Sequence, residues 1–310
     1  MATTQIILSL IKLFLMIIPG VILSKAHIID EHQSKGISAL IVNVTWPCLI
    51  ISSLQREFSK ELCINMGILA IVMVIAVIVA YVLARGIGHF LRLPKEKVYL
   101  MTFMLMFGNT GFMGIPVCTA LYGSEGTFYA ALIDCMQDIF IFTVGLFLMQ
   151  KSTGAEIRFN FRGFLTPGFA SIVVGLALFL LGITLPQVIS VPVDTVGSAT
   201  SPLAMIVVGY QLGNIRFKEL ISDHRLYILS AFKLIVMPLL FMAAILLIFP
   251  EMDLLTKALI VELAAPVAAC TTIYAQQYDS DVRFATTGVM LSTVLSLVSL
   301  SAFAVVVELI

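Results

Sequence analysis

Apolar residues run through the chain in long blocks, separated by short clusters of charged and polar residues. Cys63–Ala84 holds 22 residues without a charge, and Gly163–Val193 holds 31. About 20 apolar residues are enough for a helix to cross the hydrocarbon core of a bilayer. The pattern predicts ten spans, at about 4–24, 34–54, 62–84, 97–122, 126–150, 163–183, 194–213, 226–249, 254–277 and 283–307. No connection between them is long enough for a soluble domain. The first run carries Lys12 as its one charge and has no small-residue cleavage pattern. It therefore reads as a first membrane helix and not as a removed leader.

Two runs contain a stretch that a lipid-facing helix avoids. One is Gly108-Asn109-Thr110-Gly111-Phe112-Met113-Gly114-Ile115-Pro116, and the other is Ala264-Ala265-Pro266-Val267-Ala268-Ala269. Proline removes a backbone N–H and clashes with the preceding turn. It also pushes the residue before it out of the helical region. Unpaired backbone is tolerated at membrane depth only where protein or water covers it. Interruptions at Gly114–Pro116 and Ala264–Pro266 are therefore expected to be sheltered inside the protein.

The order of the elements suggests an inverted repeat. The longest polar stretch, Gln150–Arg162, splits the chain nearly in half and leaves five spans on each side. An odd number of spans inverts the second half relative to the first. Pro19, Pro47 and Pro116 fall in spans 1, 2 and 4; Pro167, Pro202 and Pro266 fall in spans 6, 7 and 9. Their spacings are 28 and 69 residues in one half and 35 and 64 in the other. The expected organisation is a first repeat over residues 1–151 and a second over 160–310, in an all-α polytopic membrane protein whose broken helices 4 and 9 cross. Charge then sets the orientation. Thirteen lysines and arginines lie in the odd-numbered connections; Arg56, Lys60 and Lys257 are the three in the even ones. Basic loops stay cytoplasmic, so both termini are expected outside the cell membrane.

Composition narrows the function. With 60% hydrophobic residues, 12% charged ones and a mean hydropathy of +1.08, the chain belongs in a membrane. Cys48, Cys63, Cys118, Cys135 and Cys270 lie in or beside apolar runs and form no CxxC pair. They read as small core residues and not as a disulfide or metal framework. His27, His32, His89 and His224 sit near span ends, never at ligand spacing. There is no HExxH, no phosphate-binding loop and no nucleophile motif in a plausible context. The reading is not an enzyme, with no metal, cofactor or nucleic-acid partner.

A broken helix exposes N–H groups and the positive end of a dipole, and such an end attracts carboxylates. Gly108, Gly111 and Gly114 let a ligand approach the backbone. Asn109 and Thr110 add short donors and acceptors. The second break repeats this around Pro266 and Val267 and adds Thr271 and Thr272. A single break of this kind is equally a proline kink padded by small residues for close helix packing; the matched pair favours a site. Asn109, Thr110, Gly111, Gly114, Pro116, Pro266, Val267 and Thr271 are the candidate substrate contacts. No arginine or lysine lies within either break. Recognition is therefore expected to rest on neutral groups.

The stretch Asn109–Val117, with Ala120-Leu121-Tyr122-Gly123 after it, resembles the fourth-helix signature of the auxin efflux carrier family. That family includes the plant PIN carriers and bacterial transporters for malonate and related acids. Pro266 through Tyr274-Ala275-Gln276-Gln277-Tyr278, with Asp281, resembles its ninth-helix motif. Leu291-Ser292-Thr293, Lys233-Leu234 with Pro238, and Pro202-Leu203 with Gly209 and Leu212-Gly213 also fit. The long cytoplasmic loop of the canal-type plant carriers is replaced by the short segment 151–162. The resemblance implies an elevator-type secondary carrier of small organic anions. Its scaffold domain of spans 1, 2, 6 and 7 would carry homodimer contacts. Its transport domain would comprise spans 3–5 and 8–10, with Asn109 as the residue matching the asparagine that holds the substrate carboxylate. The resemblance to bile-acid symporters leaves a sodium-coupled carrier open, and a membrane sensor that binds without transport is a further alternative.

Charges inside spans are costly and point to function. Asp134 and Asp138, four residues apart on span 5, together with Glu262 and Lys233, are the candidates for binding a coupling ion or proton. The alternative is a structural ion pair, for example between Glu262 and Lys233. Lys12 is placed to reach an interface.

Overall fold

The computed structural model describes residues 2–56, 59–153, 166–215, 223–248 and 252–310. The divide around 154–165 and the basic residues Arg158, Arg162, Arg216 and Lys218 lie outside them. The described chain is helical, and its one strand-like feature is an isolated antiparallel bridge between Gly108 and Val267. Among the described residues, seven helices are long and apolar enough to cross a membrane: Leu8–Lys25, Glu31–Ser53, Cys63–Phe90, Thr110–Lys151, Gln187–Gly213, His224–Leu247 and Val282–Leu309. Pro167–Leu180 is a shorter apolar helix, started by Thr166, whose hydroxyl accepts the Phe169 N–H at 3.1 Å. Exposed Ile64, Ile71, Ile78 and Val82 give Cys63–Phe90 an apolar outer face, as hydrocarbon requires. The chain is a multi-pass membrane protein.

The run Thr110–Lys151 is not one rod. Gly123 has φ 61° and ψ −143°, a backbone that glycine adopts without strain. The Thr119 and Thr127 hydroxyls, eight residues apart, meet at 2.7 Å. In a straight helix, eight residues rise about 12 Å, so the chain turns sharply at Gly123. The turn falls between the segments read from sequence as 97–122 and 126–150.

Prolines behave differently from expectation. Wider π turns at Ile41–Thr45, Thr110–Gly114 and Phe232–Val236 each end two residues before a proline, at Pro47, Pro116 and Pro238 respectively. Opening the turn lets the ring sit where its missing N–H and its bulk do least harm. The helix Ile115–Phe140 thus runs through Pro116. The expected break at Gly114–Pro116 lies instead upstream, at Phe107–Asn109, where Phe107 takes extended angles of φ −101° and ψ 122°. The second break, from Ala264 to Ala269, does contain Pro266.

The contacts divide the chain into two compact units. The first comprises residues 1–67, 111–135 and 161–215. Within it, helices Ile17–Lys25 and Thr200–Gly213 pack backbone to backbone. A Cβ on Gly20 would strike the Ile206 carbonyl, and one on Gly209 would strike the Ile17 carbonyl. Such small-residue contacts let membrane helices approach closely. Three connections meet in this unit: Ser52 donates to Asp194 at 2.7 Å, the Leu185 N–H donates to Gln55 Oε1 at 2.7 Å, and Arg56 lies 3.8 Å from Glu125.

The second unit comprises residues 68–110, 136–160 and 216–310. Leu100–Met106, the end of helix Lys95–Met106, is buried throughout. Lys97 pairs with Asp281 at 3.1 Å, and Ser152 meets Ser280 at 2.6 Å. Asp281 also caps helix Val282–Leu309 through the Phe284 N–H at 3.0 Å. Partial burial pushes the Asp281 carboxyl pKa up, but the Phe284 N–H, Lys97 and Arg283 outweigh it and hold the group below its ordinary value.

Candidate functional site

The two breaks pair with each other in the second unit. The Asn109 N–H donates to the Pro266 carbonyl at 2.7 Å, and the Ala268 N–H donates to the Phe107 carbonyl at 3.0 Å. Gly108 and Val267 are therefore the narrow, non-hydrogen-bonded pair of a minimal antiparallel ladder. That geometry brings side chains close, and glycine suits it: a Cβ on Gly108 would lie 3.3 Å from Lys233 Nζ and 3.5 Å from the Ala265 Cβ. Pro266 has no N–H to leave unpaired, and its carbonyl does the bonding.

The outward-facing groups of Gly108 are held by Gln137, which the sequence reading missed. The Gly108 N–H donates to Gln137 Oε1 at 2.9 Å, while Gln137 Nε2 donates to the Gly108 carbonyl at 2.8 Å and to Thr110 Oγ1 at 2.7 Å. One side-chain amide thus acts as a third strand. The Val267 N–H donates to Ser292 Oγ at 3.1 Å. The backbone at the crossing is consequently spent on the protein itself, and the expectation that its N–H groups wait for substrate fails at these positions. The signal for Gln137 was a glutamine at mid-span, passed over because only charges were weighed. Gln137→Leu leaves both Gly108 groups stranded. At about 1–3 kcal/mol for each unsatisfied group, it should cost about 2–6 kcal/mol in a denaturant titration of the purified protein. Gln137→Glu keeps the acceptor but sets a buried carboxylate oxygen against the Gly108 carbonyl, so it should cost at least as much. Wild-type stability in both would mean that the clamp is idle.

Unspent polar groups line the same crossing. The Asn109 side chain makes no hydrogen bond among the described residues, although the residue is only 5% exposed. Thr271 is fully buried one turn past the second break, and its hydroxyl has no partner there either. Thr110 is already held by Gln137.

The sequence reading expected recognition to rest on neutral groups because no lysine or arginine lies within either break; the fold brings a lysine in from another span. Lys233 is 2% exposed and brings its ammonium beside Gly108 from the π turn Phe232–Val236. Glu262, 1% exposed, is close enough to interact with that charge. The nearest cation thus arrives from span 8, remote in sequence from both breaks. Asp138 stands within electrostatic reach of Tyr274, and Tyr274 meets the Phe103 ring edge-on at 6.0 Å.

The remaining predicted residues lie in the first unit. A Cβ on Gly111 would sit 3.4 Å from Asp134 Oδ2. Gly114 and Pro116 are buried where the π turn passes into the helix that follows. Asp134 and Asp138 share a helix face but not a compact unit, because the division falls between Cys135 and Met136. Among the described residues, no group of three or more His, Cys, Asp or Glu side chains could hold a metal ion.

Comparison with known proteins relates this chain to membrane transporters. The chain is 29% identical over 99% of both lengths to an uncharacterized transporter of Methanothermobacter thermautotrophicus. It is 25% identical to an uncharacterized transporter of Methanocaldococcus jannaschii, over 87% of this chain and 88% of that one. A Rhizobium meliloti protein, provisionally named as a malonate transporter, is 24% identical over 89% of this chain and 88% of its own. The family model described as membrane transport protein matches residues 5–159 and 155–304. With nearly the whole chain matched, the protein is a membrane transporter and belongs to that family, the family of the auxin efflux carriers.

Proposed function

We propose that the protein is a secondary carrier of small organic carboxylates, with the anion held at the paired breaks. The observation that carries this reading is the combination at one crossing of a free amide on Asn109, an unpartnered hydroxyl on Thr271 and the buried ammonium of Lys233. The neutral groups orient the carboxylate. Lys233, shared with Glu262, offsets its charge without a tight dedicated ion pair, which suits a site that must also release. The Rhizobium meliloti relative's name agrees with a short dicarboxylate.

The proposed frame is ten spans in a 5+5 inverted repeat within the cell membrane, both termini outside, moving by an elevator mechanism. Three kinds of contact support it. Connections after spans 2, 4 and 6 meet through Arg56–Glu125 and Leu185–Gln55, and Ser52 near the end of span 2 meets Asp194 at the start of span 7. Connections after spans 3, 5 and 9 meet through Lys97–Asp281 and Ser152–Ser280. The compact units also group residues 1–67 with 161–215, and 68–110 with 216–310. These groups follow the proposed scaffold and transport domains, save that residues 111–135 fall with the former.

A thermal-shift screen of the purified protein against monocarboxylates, dicarboxylates and indole acids should give one class that stabilises it by mass action. Proteoliposomes should then take up the best binder. Binding without flux would make the protein a sensor, and strict sodium dependence would favour the sodium-coupled alternative. For topology, a cysteine replacing Arg92 in a cysteine-free background should resist an impermeant thiol reagent added to intact cells. Efficient labelling there would reverse the proposed orientation.

A further inference from the structure

A cavity lies within the first unit. It has a volume of about 420 Å³ and is lined by Ser52, Ser53, Gln55, Arg56, Ser124, Glu125 and Thr127. That volume is in the range of small-ligand sites. Three features give it the chemistry of an anion site. The Arg56 side chain is 24% exposed and stacks over the Phe128 ring, 4.8 Å from its centroid, which fixes the guanidinium plane by its face and leaves the N–H edges free. Among the described residues its acidic partner is Glu125, 3.8 Å away and 66% exposed, too far for a hydrogen bond and too solvated to hold the cation strongly. Gln55 uses its Oε1 on the Leu185 N–H at 2.7 Å, while its buried Nε2 donates to nothing among the described residues. Ser53 and Ser124 add hydroxyls at the rim. Ser52 is occupied by Asp194 at 2.7 Å, which keeps that second carboxylate engaged.

We infer that this cavity is an outer loading site for small carboxylates, with Arg56 as the bidentate anchor and Glu125 as a weak internal competitor that the anion displaces. The inference rests on the proposed carrier function for its ligand class, and on the proposed orientation for its side. Arg56 is one of three basic residues in the even-numbered connections. A fixed guanidinium at an otherwise cation-poor mouth raises local anion concentration and capture rate. It does not compete with release at the crossing, because the contact to the anion is solvent-accessible and screened.

The test uses the full-length protein and malonate as probe. Equilibrium dialysis with labelled malonate should find two sites in the wild type. Asn109→Ala should remove one, and Asn109→Ala with Arg56→Gln should remove both. In proteoliposomes, Arg56→Gln should raise the KM for malonate uptake about ten-fold with kcat unchanged. Glu125→Gln removes the competitor and should tighten the Arg56 site about three-fold or more, a gain that a damaged fold cannot produce. Wild-type stoichiometry and KM in Arg56→Gln, or no tightening in Glu125→Gln, would overturn the loading site whatever happens at Asn109. Conversely, loss of one site in Arg56→Gln with none lost in Asn109→Ala would leave the loading site standing and remove the crossing as the central site. If Arg56→Gln releases co-purified phosphatidylglycerol and leaves malonate binding intact, the cavity is a lipid phosphate site and the inference is wrong.

Discussion

Asn109→Ala is expected to fold, insert and bind the carboxylate ten- to hundred-fold more weakly than wild type. The magnitude follows from losing one hydrogen bond to a charged group, worth about 1.5–3 kcal/mol, converted at about 1.4 kcal/mol per ten-fold change in affinity. Folding should survive because the crossing uses the Asn109 backbone N–H, bonded to Pro266 at 2.7 Å, and not its side chain. Asn109→Asp should be worse for binding, since it sets a carboxylate against the substrate's own. Titration calorimetry on the detergent-solubilised protein reads both. If both variants bind as tightly as wild type, Asn109 merely completes the break and the anion lies elsewhere.

Lys233→Met should both destabilise the protein and abolish carboxylate uptake. It leaves Glu262 buried at 1% exposure without the charge of Lys233, with which it interacts. Removing one partner of a buried pair typically costs about 3–5 kcal/mol. The double variant Lys233→Met with Glu262→Gln removes both charges, and most of the stability should return. Carboxylate uptake should not return with it, because the cation beside Gly108 is still missing. Recovery of both stability and uptake in the double variant would make the pair purely structural. Recovery of neither would mean that the two charges are not each other's partners. Thermal unfolding and proteoliposome flux, measured on the same preparations, separate these outcomes.

Part of the crossing was legible in the chain because glycine, asparagine and proline act locally. Asn109, Thr110, Pro266, Val267 and Thr271 were singled out by residue type and position, and the structure gathers them at one crossing or within a turn of it. The errors share one cause. Pro116 was read as the break, but a π turn absorbs it and the chain opens instead at Phe107–Asn109. Gln137 was invisible to a search for charges, although its amide holds both polar groups of Gly108 from 29 residues away. Lys233 was read as a coupling candidate or as a structural partner of Glu262, and not as a cation beside Gly108, because it lies in another span.

The membrane class follows from the sequence by itself, because the cost of burying charge and the gain from burying apolar surface accrue residue by residue along the chain. The turn at Gly123 falls in the gap the pattern leaves between 122 and 126, at a residue that the structure shows with a positive φ. Which backbone groups remain for a ligand, and which charge stands beside them, was decided only in three dimensions. A break can open wherever a distant partner satisfies its N–H and C=O groups. Those partners, Gln137 for Gly108, Pro266 for Asn109 and Ser292 for Val267, become neighbours only when the helices pack.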